Sequence, residues 1–367
     1  MVCGSLRSRS GTRVRIASPS GRNSSTSFSH DRPSALMPNT SLPFSRQVSR
    51  FDMRLNLSHG RCFYEPCGED HRQGGSAMKS KDMMLDVSSA AAIGEKTEIA
   101  ASLHLPDNWA KSGKHLIFAI HGGGYSRIYW NPPFADESYS FARWFTDRGK
   151  AVLAIDMLGM GDSTKPEPES KLSRAIIANA HAAALALVVD ELGPDISVTG
   201  MGHSMGGMMI ISQAAMHPVF DRVAVLGWAN EPMVLGDTDT GKLRAGLIPS
   251  GYLATPREPM RKLFYWPDVP HALVEADEAH ASSTPATLGR AALTPGVVHE
   301  EAAAITVPVL VVQSAIDTSP DPSRETAYFK TAASTDLQIV DNAAHCQNFA
   351  GSRRSHWADL NDWFDLN

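Results

Sequence analysis

Cysteine is scarce in this sequence, charge of one sign does not dominate, and long apolar runs are missing. Four cysteines in 367 residues exclude a disulfide scaffold, and Cys62 and Cys67 stand too far apart for a redox C-x-x-C. A formal charge of −5, from 34 basic and 39 acidic side chains, excludes a strongly basic nucleic-acid binder and a uniformly acidic disordered chain. No apolar run reaches the roughly 18 residues that a membrane-spanning helix needs. The 14 histidines are scattered, with no pairs at ligand spacing, so no metal site is expected. Apolar material is plentiful: 43% of the side chains are hydrophobic and only 20% charged. That suits a packed core in one large domain or two ordinary ones.

The first fifty residues differ from the rest. They hold 13 Ser, 8 Arg, no Lys and one acid, Asp31, a local charge of +7. Their few apolar residues follow neither a helical nor a strand period, so they bury too little surface to offset their ordering entropy. Residues 1–52 therefore read as a disordered basic leader. An organellar transit peptide, also rich in Arg and Ser, is the alternative. The expected location is cytoplasmic, or organellar if the leader is such a peptide.

Residues 53–367 read as one domain. Short strands are expected at 83–87 and 98–106, a strand buried on both faces at 115–122, another buried strand running into a Gly-punctuated loop over 151–163, and further strands at 195–202, 222–229, 307–314 and 336–340. Helical spacing occupies 138–149, 173–192 and 204–216. This alternation predicts a mostly parallel, doubly wound α/β sheet. Residues 230–304 interrupt it with Pro, Gly, short helical patterns and the cluster Tyr252, Met260, Leu263, Phe264, Tyr265 and Trp266. So long a connection reads as a cap, its aromatics forming either a small core of their own or a substrate lining.

The residues suited to chemistry lie at strand ends. In Gly202-His203-Ser204-Met205-Gly206 a strand meets a helix through G-x-S-x-G. This turn lifts the Ser hydroxyl above the sheet and aims helical N–H groups at developing negative charge. Such a Ser needs a base and an orienting carboxylate, and where this elbow occurs they follow in the order acid, then His. Asp317 ends strand 307–314 and His345 follows strand 336–340, on the edge where α/β sheets bind ligands. Asp321 and Asp341 are nearby acids, less well placed. The glycines of His121-Gly122-Gly123-Gly124 would let backbone approach a substrate oxygen. The N–H of Gly123 or Gly124, with that of Met205, would then form an oxyanion hole. His121 reads as scaffold, and no phosphate-loop pattern is completed. Arg127, Trp130 and Arg244 are equally plausible as substrate contacts and as packing residues.

HGGG (121–124), DMLGMGDS (156–163), GHSMGG (202–207), PVLVVQSAID (308–317) and NAAHCQNFA (342–350) together resemble the landmarks of the α/β-hydrolase superfamily in order and spacing, over roughly residues 100–367. The resemblance implies a cap inserted after the sixth strand, Ser204 as nucleophile, His345 as base and Asp317 as its partner. Asp156 and Gly161 would shape the loop after the fourth strand. Some relatives take their acid from the loop after the sixth strand, which makes Glu231 the alternative. The implied activity is a carboxylesterase, lactones included, acting through an acyl-enzyme on a fairly apolar small-molecule ester, with no cofactor. A homodimer stays open; nucleic acid does not enter. Two other readings remain open. One is a carbon–carbon bond hydrolase of ring-fission products, although Tyr125-Ser126 replace the Pro-Gly usual after that glycine run. The other is a non-catalytic ligand receptor.

Overall fold

The computed structural model describes residues 14–15, 78–235, 248–254 and 256–366. The leader expected at 1–52 lies outside the described residues apart from the backbone of Val14–Arg15. Eight strands form the body of one sheet: β2 (Lys79–Asp86), β3 (Glu98–Leu105), β4 (His115–Ile120), β5 (Lys150–Ile155), β6 (Ser197–His203), β7 (Arg222–Leu226), β10 (Val309–Ile316) and β11 (Thr335–Ala344). The pair Val14–Arg15 (β1) adds antiparallel to β11, giving the order β1-β11-β10-β7-β6-β4-β5-β3-β2. From β5 across to β11 every pairing is parallel, while β2 and β3 join antiparallel at the far edge. The mostly parallel sheet expected from the sequence is therefore present.

Strands β4, β5 and β7 are apolar after their first residue because both faces are covered. On β4, Leu116, Phe118 and Ile120 face one core and Ile117 and Ala119 the other. Helices α3 (Arg174–Leu192) and α4 (Met205–Met216) bury Ile177, Leu185, Met208 and Ile211 in the first core. Phe141, Phe145, Trp357 and Trp363 fill the second, from helices Phe141–Thr146 and Arg353–Phe364. By length and composition alone α3 would cross a bilayer, although Asn179 and His181 interrupt its apolar run. Its Ile177, Ala180, Ala184 and Val188 are fully buried against the sheet and α4. Ser173 caps its first turn by accepting the Ile176 N–H, and Gly193, at φ 91, ends it.

Between β7 and β10 stands the segment read as a cap. Among its described residues it contains a two-stranded antiparallel ribbon, β8 (Tyr252–Ala254) and β9 (Ser283–Pro285), and several helices, the longest being His271–Ala279. Its aromatics do not form a separate core. Tyr265 is buried with Cys346 and Phe349 in the second core, and Phe264 and Trp266 pack on the same cluster.

Candidate active site

β6 ends in a turn of unusual backbone geometry. Ser204 sits at φ 56, ψ −120, and α4 starts at the next residue. A left-handed Ser is costly unless its surroundings hold it there. Its N–H donates to the Leu226 carbonyl (2.7 Å), and its own carbonyl accepts from the Gly207 N–H (2.7 Å). Glycine on both sides is a matter of space. A Cβ at Gly202 would lie 2.0 Å from the Gly206 carbonyl oxygen, and one at Gly206 would lie 2.4 Å from that of Ile120. Ser204 stays partly exposed at the positive end of α4.

The parallel neighbours β10 and β11 deliver the other two groups. Asp317 and His345 directly follow them, and His345 Nδ1 donates to Asp317 Oδ1 across 2.6 Å. Asp317 Oδ2 also accepts the Ser314 N–H (2.7 Å) and Oδ1 the Thr318 N–H (2.8 Å). The side chains are 3% and 1% exposed. Donation through Nδ1 leaves Nε2 as the proton acceptor. His203 links this loop to the elbow: its Nε2–H donates to the His345 carbonyl (2.8 Å), and the two rings lie 4.7 Å apart. Burial holds the His203 pKa well below its usual value, so the ring is neutral. The His345 N–H donates to the Leu263 carbonyl and the Cys346 N–H to that of Phe264, at 3.0 and 2.9 Å.

The glycine loop after β4 lies against the elbow; a Cβ at Gly122 would stand 3.2 Å from that of Ser204. The structure separates the three candidate oxyanion donors. The Gly124 N–H is engaged by Thr284 Oγ1 (2.9 Å), which corrects its assignment as a donor to substrate. The N–H groups of Gly123 and Met205 make no hydrogen bond among the described residues. His121 donates from Nδ1 to the Gly122 carbonyl (2.8 Å) and accepts the Met157 N–H at Nε2 (3.1 Å). Burial lowers its pKa, and it serves as scaffold.

Glu231 is not brought to the histidine. Its Oε1 accepts from Tyr328 Oη (2.7 Å) and pairs with Arg324 (3.1 Å), so of the two candidate acids it is Asp317 that is hydrogen-bonded to His345. Arg127 is half-buried and committed to acids: its N–H and Nη1 hold the fully buried Asp156 carboxylate at 2.5 and 2.6 Å, and Nη1 also meets Asp162 at 2.7 Å. Trp130 is fully buried against Tyr129 and Phe141. Arg244 lies outside the described residues. Among the described residues no cluster of three or more His, Cys, Asp or Glu could hold a metal ion.

A buried ionic cluster beside the site escaped sequence reasoning. Asp277 Oδ2 accepts from Arg257 Nη1 (2.5 Å), Tyr265 Oη (2.5 Å) and Tyr125 Oη (2.9 Å). Burial is the main influence on the Asp277 carboxyl and raises its pKa, with Arg257 opposing. No local pattern announces such a cluster, because its members come from segments far apart in sequence.

The arrangement is a strained Ser at a helix N-terminus, a carboxylate-oriented His on a loop that His203 ties to the Ser turn, and two backbone donors unengaged among the described residues, a set of groups compatible with acyl transfer. Residues 116–361 match the model of the family described as "Alpha/beta hydrolase family". No curated protein matches the sequence. Among solved structures, the chain is similar to a monoacylglycerol lipase of Paleococcus ferrophilus at 17% identity and TM-score 0.55, covering 73% of this chain and 98% of that one. It is also similar to E-2-(acetamidomethylene)succinate hydrolase, at 15% identity and TM-score 0.54, covering 78% and 100%. Est1E of Butyrivibrio proteoclasticus, solved with ferulic acid bound, aligns at 18% identity and TM-score 0.51, covering 77% and 97%. At these identities the likeness is one of fold.

Proposed function

The chain belongs to the alpha/beta hydrolase family, and we propose that it is a serine carboxylesterase, lactones included, acting on a fairly apolar small-molecule ester. The observation that carries this reading is the 2.6 Å bond between His345 Nδ1 and Asp317 Oδ1, in a loop that His203 ties to the elbow bearing Ser204. His345 Nε2 takes the Ser204 proton as Oγ attacks the acyl carbonyl. The Gly123 and Met205 N–H groups hold the oxyanion, and the positive end of α4 favours the charge. His345 then protonates the leaving alcohol. Water, deprotonated by the same nitrogen, attacks the acyl-Ser204 carbonyl, and His345 returns that proton to Ser204 Oγ as the acyl–Oγ bond breaks and the acid leaves. Asp317 holds the tautomer and stabilises the imidazolium throughout. Phe264, whose ring lies 5.3 Å from that of His345, supplies an apolar wall beside the reacting atoms.

An ester panel varied separately in acyl and alcohol length, run beside Ser204→Ala, tests the reading. Turnover of aryl esters is expected to fall by about 10³-fold or more in the variant; undiminished activity would overturn it. Turnover of a vinylogous diketone in preference to every ester would replace it with carbon–carbon bond hydrolysis.

A further inference from the structure

Gly124 is held on both sides by the segment between β7 and β10. Its N–H donates to Thr284 Oγ1 (2.9 Å), and its carbonyl accepts from Arg257 Nη2 (2.5 Å) and the Ser282 N–H (2.9 Å). Arg257 is only 5% exposed. Its Nη1 donates to the Asp277 side chain (2.5 Å) and carbonyl (3.0 Å), and its guanidinium lies 3.8 Å from the centre of the Tyr125 ring. Tyr125, next in chain to Gly124, donates to Asp277 and lies 3.1 Å from the sulfur of Cys346, the neighbour of His345. A buried guanidinium is tolerated only while its hydrogen bonds stay complete. This node therefore cannot shift without leaving charge unpaired.

We propose that Arg257 and Thr284 are the positioning residues of the oxyanion loop: by clamping the Gly124 peptide groups they set where the Gly123 N–H points. The inference rests on the reading of Ser204 as nucleophile. Neither residue is assigned a contact with substrate. Their effect is on preorganisation, where a displacement of about 1 Å costs about 10²-fold in rate.

The test uses the full chain with Arg257→Met, Thr284→Val and Thr284→Ser. Three quantities are read: the fraction titrated by a fluorophosphonate, kcat and KM per titrated site on an aryl ester, and Ki for a trifluoromethyl ketone that forms the tetrahedral adduct. Arg257→Met and Thr284→Val are expected to lower kcat per titrated site by about 10- to 100-fold. KM should stay within about twofold, the ketone should weaken by the same factor as kcat, and Thr284→Ser should restore both. Wild-type kcat and Ki per titrated site in these variants, whatever fraction titrates, would overturn the inference alone. If Arg257→Met does not fold, the Thr284 pair decides. A wild-type chain inert to both probe and ester would overturn the hydrolase reading and this inference with it.

Discussion

At the scale of the residue, the chemistry depends on which proton sits on which nitrogen. His345 donates through Nδ1 to Asp317, which leaves Nε2 unprotonated and, on the proposed mechanism, able to act as the base. An amide in place of the carboxylate would offer its own N–H to Nδ1 and favour the wrong tautomer. Asp317→Asn is therefore expected to lower kcat by about 10⁴-fold, while Glu231→Gln, whose carboxylate is held by Tyr328 and Arg324, leaves kcat within about twofold. Steady-state kinetics on one ester decides between them. Asp317 and Glu231 both lie beyond the carboxyl ends of neighbouring strands, so the sequence left both open, and the pairing of β10 with β11 brings only Asp317 to His345. Gly206 raises a stability question. A Cβ there would meet the Ile120 and His121 carbonyls at 2.4 and 2.5 Å, backbone atoms with little freedom to yield. Gly206→Ala is expected to destabilise by about 3 kcal/mol or more, read as a lowered urea midpoint.

At the scale of the element, apolar runs located β4, β5 and β7 because a strand covered on both faces is mostly apolar. They did not locate where the strands end. The run at 336–340 predicts a strand that stops before Asp341, yet β11 continues to Ala344. A register shift between Ser314 and Ile316 lets Ile316 pair with Ala344, and that pairing sets Asp317 and His345 side by side. Polar residues in the extension hid it from a hydropathy reading. The loop after β5 is governed by charge instead. Asp156 is fully buried and accepts from Arg127 Nη1, the Arg127 N–H and the Asp162 N–H. Arg127→Met removes the countercharge but keeps the volume, and is expected to cost about 3 kcal/mol. Chemical denaturation measures this, and Arg127→Met with Asp156→Asn should recover part of the loss.

At the scale of the whole molecule, burial of histidine makes stability depend on pH. Burial is the leading cause that lowers the pKa of His104 and His115 from 6.5 to about 4, and of His181 and His356 to about 3. Below pH 6.5 the unfolded chain gains protons that these folded residues refuse. Stability is thus fully present above 6.5 and is lost as pH falls toward the folded values. The melting temperature is expected to drop steadily between pH 6.5 and 4. His356, 1% exposed, has both ring nitrogens unpartnered among the described residues, so His356→Leu should flatten that slope. A melting profile across pH with wild type and variant side by side reads both effects.

The alternation of buried strands and helices, the elbow around Ser204 and the order Ser, Asp, His are properties of local sequence. A strand's apolar run, a glycine at a crowded turn and a helix cap each act within a few residues, so the sequence by itself determined the sheet, its parallel sense and the candidate nucleophile and base. What only the tertiary structure decided depends on groups far apart in the chain. It paired His345 with Asp317 rather than Glu231, and it gave the Gly124 N–H to Thr284. It also buried Arg257 with Asp277 beneath the glycine loop. A hydrogen bond between distant segments leaves no period or composition behind, because its partners are fixed by how the sheet and the segment before β10 pack.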